Sequence, residues 1–255
     1  MAGQHPLVSV IMPCYNMERF IADTIRSVLN QTFTDWELLI TDDASTDGTI
    51  ASIQSLAEND PRIHFFSIDP QQTGIAPARN HCIKNAKGRF LAFLDADDLW
   101  HPDKLQRQLQ FMQNGHIGFS YTAYDLVDEG GKPLGKTIKT AGNLDYIAYL
   151  RNTIIGCSTV MIDTELVGSV FVPNFRTSED AATWLEIMRW GFKAYALDEP
   201  LTSYRIRSHS ASSNKLKAAA DLWKVYRQNE KLPWFKAVFF FSCYAFNAIK
   251  KRICQ

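Results

Sequence analysis

The sequence predicts an α/β fold in which a largely parallel sheet carries helices on both faces. In residues 7–115, apolar runs typical of strands alternate with stretches whose apolar residues recur at helical spacing. The run at 89–94 contains no alternating polar positions, which is typical of a strand buried on both faces. Both observations favour a doubly wound sheet, in which ligands bind beyond the carboxyl ends of the strands.

The first half of the chain contains four predicted strands, at residues 7–12, 36–41, 63–68 and 89–94. Each is followed by a predicted helix with an apolar face, marked in turn by Ile21, Ile25, Val28 and Leu29, by Ile50, Ile53 and Leu56, by segment 75–86, and by Leu105, Leu109 and Met112.

The alternation loosens after residue 116. Strands are predicted at 117–121 and 159–162, a hairpin tip at 128–133 and a helix at 180–191. Two short strands are predicted at 193–197 and 201–205 around Pro200, followed by a helical region from about residue 212.

Composition excludes several classes of protein. The 255 residues are 46% hydrophobic, enough for a large core. Lys and Arg balance Asp and Glu at 27 each, so no overall charge favours a nucleic-acid partner. The five cysteines are widely spaced and form no C-x-x-C pair, which indicates a reducing compartment without structural zinc. With no signal-peptide pattern at the N-terminus, we expect a cytoplasmic protein.

Three carboxylates follow the fourth strand, at Asp95, Asp97 and Asp98. Charges gathered at a strand end need counter-charges, and Mg²⁺ or Mn²⁺ takes oxygen ligands while sharing substrate phosphates. The alternative is a polar loop that caps the helix starting near His101.

Several motifs together carry a family resemblance. They are VSVIMPCYN from Val8, QTF from Gln31, DDASTDGT from Asp42, ARN from Ala78, the Asp95 cluster, and SED from Ser178. In order and spacing, residues 7–207 resemble family 2 of the inverting glycosyltransferases, of the bacterial surface-polysaccharide type, with the GT-A fold.

The resemblance implies a domain organisation and a reaction. Residues 1–208 would form the catalytic domain, with a nucleotide-binding half at about 1–115 and an acceptor half at about 116–208, and 209–255 a C-terminal helical extension. The enzyme would move a sugar from a nucleotide-sugar donor, a UDP-sugar, to a hydroxyl of a lipid-linked surface glycan. Two alternatives are a sugar-phosphate nucleotidyltransferase, which needs a glycine-rich loop where this chain has Pro13-Cys14-Tyr15-Asn16, and a catalytically silent binding protein.

Donor contacts are implied at the ends of the first two strands. Asp42 and Asp43 would accept hydrogen bonds from a uracil N–H or a ribose hydroxyl, with Asp43 the better placed. The alternative role of these carboxylates is helix capping. Pro13 and Tyr15 would form the wall beside the base, although Tyr15 could equally belong to the core.

A cation precedes the fourth strand. The resemblance places Arg79 near the donor diphosphate, and the alternative is a structural salt bridge across the strand ends. The chain has Thr73 where family members often have a second glycine before Gly74.

The resemblance assigns metal binding to the acidic cluster and the catalytic base to the SED motif. The resemblance makes Asp97 the metal ligand and gives Asp95 to the ribose or a metal-bound water, with Mn²⁺ or Mg²⁺ as the cofactor. Asp180 would be the base that deprotonates the acceptor, with Glu179 and Trp184 on the acceptor side. The alternatives are that Glu179 and Asp180 complement a helix dipole and that Trp184 packs in the core.

Two further segments complete the prediction. Arg205, Arg207 and His209 resemble a loop that closes over the diphosphate, with His209 completing the metal shell or lying in an exposed linker. Residues 234–252 combine aromatic side chains with cations but are too short in their apolar part to span a bilayer. They predict peripheral membrane contact, and the alternative is packing on the catalytic domain or in a dimer.

Overall fold

A computed structural model describes residues 5–69, 71, 73–208 and 215–253, without the side chains of 215, 216 and 248–253. The strands are β1 Val8–Cys14, β2 Trp36–Asp42, β3 Ile63–Ser67, β4 Phe90–Phe93, β5 Leu99–Trp100, β6 Phe119–Val127, β7 Pro133–Ile138, β8 Met161–Asp163 and β9 Tyr195–Arg205.

The helices that accompany these strands are α1 Ile21–Leu29, α2 Thr49–Ala57, α3 Ile75–Asn85, α4 Lys104–Gly115, α5 Tyr146–Arg151, α6 Thr164–Val167, α7 Glu179–Arg189, α8 Lys215–Lys224 and α9 Trp234–Ile253. A 3₁₀ turn at Cys157–Thr159 precedes β8, and a π-helical turn at Val225–Asn229 follows α8.

The strands form one sheet in the order β3-β2-β1-β4-β8-β6-β9-β5, with β7 paired to β6. β1 pairs in parallel with both β2 and β4, and β2 pairs in parallel with β3. Beyond β4 the sheet is mixed, because β8 is antiparallel to β4 and β6 while β6 and β9 are parallel. The predicted α/β architecture with a C-terminal helical region is confirmed, and the parallel part of the sheet is formed by the first half of the chain.

Two apolar layers cover the two faces of the sheet, because neighbouring strand residues point to opposite sides. In β1, for example, Val10 packs against α1 and α4, whereas Ile11 packs in the layer that contains residues of α5 and α7. Fully burying each large apolar side chain of this kind stabilises the fold by about 1.5–3 kcal/mol. The sheet is therefore held between two layers of helices, one on each face.

One difference between the predicted and the observed second half concerns the strand that contains Pro200. The two short strands expected around Pro200 are wrong, since β9 runs unbroken from Tyr195 to Arg205. The register against β6 shifts on both sides of Ala123, which is the partner of Pro200. Proline lacks the N–H that a regular ladder needs and is tolerated at such irregularities. The hairpin tip predicted at 128–133 is confirmed by the antiparallel pairing of Val127 with Pro133.

The C-terminal helix α9 packs one side on the apolar layer that contains residues of α5 and α7. Ala237 and Phe240 are buried there, whereas Trp234 and Phe246 are exposed on the other side. Within the residues that the structure describes, no helix has the length and apolar character needed to cross a membrane.

Candidate active site

The predicted site lies at the point where the sheet changes its direction of growth. The chain adds β2 and β3 on one side of β1 and then returns to place β4 on the other side. Crevices outside the carboxyl ends of strands form at such a reversal. The loops after β1, β2 and β4, which contain Tyr15, Asp43 and Asp95, start at this edge.

The two carboxylates after β2 have different surroundings. Asp42 is fully buried, and its Oδ2 accepts a hydrogen bond from the backbone N–H of Ser45 at 2.8 Å. Asp43 is only partly buried, and its Oδ1 accepts from the N–H of Gly74 at 2.7 Å. Burial raises the pKa of Asp43. Asp42 therefore holds its own loop before the start of α2 and does not cap that helix, while Asp43 joins β2 to the loop before α3.

Of the two residues predicted to form the wall beside the base, Tyr15 is exposed and Pro13 is buried. The Tyr15 side chain is 51% exposed, so the alternative that it belongs to the core is wrong. Pro13 is buried within β1 beside Thr41 of β2. Contact of either residue with a nucleotide base stays a prediction.

Each carboxylate of the acidic cluster has its own cationic or polar partner. Asp95 Oδ1 lies 2.8 Å from Nη2 of Arg79, and Asp97 Oδ2 lies 2.6 Å from Nε of Arg207. Asp98 is buried and accepts from the Ser158 hydroxyl at 2.6 Å and from the backbone N–H of Arg205 at 3.0 Å. Burial raises the pKa of Asp97 and of Asp98, and repulsion by neighbouring carboxylates adds to the effect.

Arg79 forms the buried link between the two sides of the site. Its Nη1 donates to Glu179 Oε1 at 3.1 Å, while its Nη2 donates to Asp95. The side chain of Arg79 is buried, and Arg79 Nε and Glu179 Oε2 have no hydrogen-bond partner among the described residues. Both terminal nitrogens of the Arg79 guanidinium are thus engaged in the structural salt bridge given as the alternative, and its contact with a diphosphate stays a prediction.

Asp180, the predicted base, lies in the first turn of α7. Burial and the charge of Glu179 raise its pKa from 3.8 to about 7, although the charge of Arg79 opposes the rise. Its Oδ1 accepts from the N–H of Ala181 at 2.6 Å. Glu179 pairs with Arg79 through Oε1, whereas the bond from Ala181 to Asp180 is one that the helix-end alternative also describes. Arg79 contacts both Asp95 and Glu179, the neighbour of Asp180, which brings the acidic cluster and the first turn of α7 close together.

Trp184 packs in the core one turn after Asp180. Its ring lies 5.2 Å from that of Phe93 and 5.4 Å from that of Phe119, measured between centroids. The side chain is buried and packs as the core alternative describes, and the acceptor-side role stays a prediction.

The segment after β9 contacts the acidic cluster at two points. Arg205 is buried, and it donates from Nε to the Asp97 carbonyl at 2.7 Å and from Nη1 to the Glu129 carbonyl at 2.6 Å. Arg207 instead pairs with the Asp97 side chain. Arg205 thus fixes the backbone of the cluster, and Arg207 is the cation at its carboxylate. His209 lies outside the described residues.

Sequence reasoning missed two residues that support the cluster. The Ser158 hydroxyl donates to Asp98 and accepts from the N–H of Asp95 at 3.0 Å. Phe20 lies beneath both arginines, with its ring centroid 5.0 Å from Cζ of Arg205 and 5.3 Å from Cζ of Arg207. Nothing in the spacing of Ser158 or Phe20 signals these contacts, since both depend on tertiary packing.

The donor set suits a cation that is shared with a substrate. No group of three or more His, Cys, Asp or Glu side chains in the described part of the chain could enclose a metal ion. Asp97 and Asp95 nevertheless offer carboxylate oxygens two residues apart at the same strand end. The Asp97 carboxylate already has a positive charge beside it, the guanidinium of Arg207. Mg²⁺ is commonly held by one or two carboxylates together with phosphate oxygens, so the residues fit an ion that arrives with a diphosphate.

Comparison with known proteins identifies the family. The model described as "Glycosyl transferase family 2" matches residues 9–164, more than half of the chain. The chain belongs to glycosyltransferase family 2. Asp43, Asp95 and Asp97 lie inside the matched segment, whereas Asp180 and the arginines after β9 lie beyond it. Membership of glycosyltransferase family 2 excludes the nucleotidyltransferase alternative.

Two relatives extend the similarity past the family match. The chain is 48% identical to "Putative teichuronic acid biosynthesis glycosyltransferase TuaG" of Bacillus subtilis (strain 168), over 99% of this chain and 100% of the relative. It is 38% identical to "UDP-Glc:alpha-D-GlcNAc-diphosphoundecaprenol beta-1,3-glucosyltransferase WfgD" of Escherichia coli, over 86% of this chain and 85% of that protein.

A solved structure supports the fold. The mannosyltransferase PcManGT of Pyrobaculum calidifontis, in complex with GDP-Man and Mn²⁺, aligns with a TM-score of 0.68 at 20% identity. The alignment covers 90% of this chain and 66% of that one. The chain, a member of glycosyltransferase family 2, therefore shares its fold with this solved glycosyltransferase.

Proposed function

We propose that the protein transfers a sugar from a UDP-sugar to a hydroxyl of a growing, lipid-linked surface polysaccharide, with inversion at the anomeric carbon. The observation that carries this proposal is the buried Arg79, which joins Asp95 on the donor side to Glu179 beside Asp180. A rigid link between these elements would fix the base relative to the donor, as a single displacement requires.

The donor and the acceptor are inferred from relatives. The name of WfgD gives UDP-Glc as donor and a diphosphoundecaprenol-linked sugar as acceptor, and its similarity covers 86% of this chain. In this proposal Asp43, Tyr15 and Pro13 bind the nucleoside within the donor half, at about residues 1–115. The acceptor enters the half formed by about residues 116–208.

Asp180 acts as the general base in this proposal. Its carboxylate would take the proton of the acceptor hydroxyl as the new bond to the anomeric carbon forms. A pKa of about 7 suits the task, because about half of the group is ionised at pH 7 and the ionised form is basic enough to accept a proton.

The departing nucleoside diphosphate needs positive charge. Asp97 and Asp95 would hold Mn²⁺ or Mg²⁺, which when bound supplies neutralisation of the charge that grows on the diphosphate. Arg207 lies at the Asp97 carboxylate and would offer its guanidinium to the phosphates. His209 remains a proposed further ligand outside the described residues.

A lipid-linked acceptor also gives a purpose to the C-terminal helix. We propose a cytoplasmic enzyme that contacts the inner membrane through residues 234–252. The exposed aromatic side chains of α9 and the lysines in the sequence of this segment suit an anionic bilayer surface.

A nucleotide-sugar screen tests the proposal. Full-length protein is incubated with UDP-, GDP- and dTDP-sugars and Mn²⁺ or Mg²⁺, and the released nucleoside diphosphate is measured with and without a lipid-linked acceptor. We expect release from one UDP-sugar, and we expect NMR of the product to show the anomeric configuration opposite to that of the donor. Retention of configuration, or no turnover of any donor, would contradict the proposal.

A further inference from the structure

An apolar groove of about 470 Å³ separates α5 from α9, away from the acidic cluster. Ile147 and Leu150 of α5 form one wall, and Phe235 and Phe239 of α9 form the other. Phe240 lies at its floor together with Leu150, because both side chains are buried. The groove has the size of a small-molecule site and a lining that favours hydrocarbon.

The upper walls of the groove remain open to solvent. Ile147 is 46% exposed, Phe235 57% and Phe239 53%. Clustered large apolar side chains at a surface are rare without a binding role, since leaving them in water costs free energy. The buried floor and exposed walls suit a ligand that lies along the groove.

The groove shares α5 with the surroundings of the proposed base. Tyr149, the neighbour of Leu150, is buried in the apolar layer that also contains Ala181, the residue after Asp180, and burial, with the charge of Asp180 next, raises the pKa of Tyr149. Two hydrogen-bonded groups also fix α5 to α7, because the Tyr146 hydroxyl donates to Glu230 at 2.7 Å and Arg189 of α7 donates to the same carboxylate at 3.0 Å. A chain in the groove would therefore be held one helix away from Asp180.

Two cations flank this apolar surface. Lys236 lines the groove, and Cζ of Arg151, the last residue of α5, lies 5.9 Å from the centroid of the Phe239 ring. A phosphate group attached to a hydrocarbon chain is complementary to this arrangement, since the chain fills the apolar part while the anion meets the cations.

We propose that the α5–α9 groove binds the hydrocarbon chain of the phosphate-linked lipid acceptor and so directs its sugar toward Asp180. This inference rests on the proposed function, which supplies the lipid-linked acceptor. It goes further by assigning a single chain to defined residues, in place of general contact between the 234–252 segment and a bilayer.

The structure offers a matched control within the same helix. Phe246 is 68% exposed on α9 but does not line the groove. Phe239→Ser and Ile147→Ser each remove one wall from a different helix, whereas Phe246→Ser removes a similar apolar surface elsewhere. All three residues are exposed, so the variants should keep the fold, which circular dichroism and the unfolding midpoint would verify.

Binding of farnesyl phosphate to the full chain by isothermal titration calorimetry tests the proposal directly. We expect Phe239→Ser and Ile147→Ser each to weaken binding on the order of tenfold through lost apolar contact, and Phe246→Ser to leave it unchanged. Inorganic phosphate, which lacks the chain, should bind at least tenfold more weakly than farnesyl phosphate to the unaltered protein. Equal binding of farnesyl phosphate by all four proteins would overturn the groove assignment.

Vesicles containing anionic lipid distinguish the groove from general membrane docking. If Phe246→Ser weakens vesicle binding as much as Phe239→Ser does, and farnesyl phosphate does not bind, the surface docks a bilayer and the single-chain proposal is wrong. Hydrolysis of the nucleotide sugar without acceptor, measured on the same variants, should be unchanged. If the unaltered protein turns over no donor with or without the lipid-linked acceptor, the proposed function fails, whereas the farnesyl phosphate measurement still decides the groove.

Discussion

The buried Arg79 forms an ion pair with the partly exposed Asp95, with Nη2 and Oδ1 2.8 Å apart, at the end of β4. The same guanidinium also reaches Glu179, which lies 100 residues further along the chain. One cation thus balances two acidic groups from the two halves of the sheet. Its removal would leave those carboxylates close together without a counter-charge.

Replacement of Arg79 by methionine should therefore destabilise the fold. Breaking a buried pair by removing one partner costs about 3–5 kcal/mol, because the remaining charge is left uncompensated. Urea unfolding at pH 7 measures the change. Arg26→Met is the control, since Arg26 pairs with Asp23 at an exposed position and such pairs contribute under about 1 kcal/mol. Equal losses in the two variants would contradict the role assigned to Arg79.

Replacement of Asp180 by asparagine should abolish sugar transfer while donor binding is retained. Removal of a general base typically lowers the rate by about a hundredfold to ten-thousandfold, and Asn keeps the size of the side chain. The affinity for UDP, measured by calorimetry, should stay the same. Asp23→Asn, also in the first turn of a helix but exposed, should transfer sugar at the normal rate. Normal transfer by Asp180→Asn would show that the base is another residue.

Replacement of Asp97 by alanine should remove the effect of the divalent ion on donor binding. In the unaltered protein we expect Mn²⁺ to tighten UDP binding and EDTA to reverse this, because the ion would bridge Asp97 and the phosphates. In Asp97→Ala the gain from Mn²⁺ should fall by about tenfold or more. Asp103→Ala, which changes an acid of the loop that leads into α4, should retain the full gain. A Mn²⁺ effect of equal size in both variants would rule out Asp97 as a ligand.

The sequence was sufficient for those features that neighbouring residues encode. The buried strands appear as apolar runs, and β4 was predicted to within a residue at each end because all four of its side chains are buried. The gathering of acids after β2 and β4 follows from strand parallelism, which the alternation of strands and helices already indicates.

The partners of those acids could not be predicted, because they come from distant parts of the chain. Asp98 is held by Ser158 and by the backbone of Arg205, and neither contact leaves a trace in local spacing. Trp184 shows the same limit. A tryptophan one turn after a proposed base is compatible with sugar stacking or with core packing, and only the positions of Phe93 and Phe119 decide.

The raised pKa of Asp180 predicts two pH effects of defined sign. As a base it must be ionised, so the transfer rate should fall about tenfold for each pH unit below about 7. The same rise in pKa acts on stability, because between 3.8 and about 7 the folded protein retains a proton that the unfolded chain releases. This contribution to the free energy of unfolding therefore decreases as the pH rises across that range and changes no further above it.

Asparagine at position 180 removes this titration while keeping the volume of the side chain. Relative to the unaltered protein, Asp180→Asn should gain stability steadily from pH 4 to pH 7 and hold a constant advantage at pH 8, as measured by urea unfolding at each pH. Asp198→Asn provides the opposite control, since hydrogen bonds from Thr140 lower the pKa of Asp198 and its ionised form is the favoured one. A stability difference between Asp180→Asn and the unaltered protein that does not vary with pH would mean that Asp180 titrates as an ordinary carboxylate, and the acidic limb of the rate profile would then need another group.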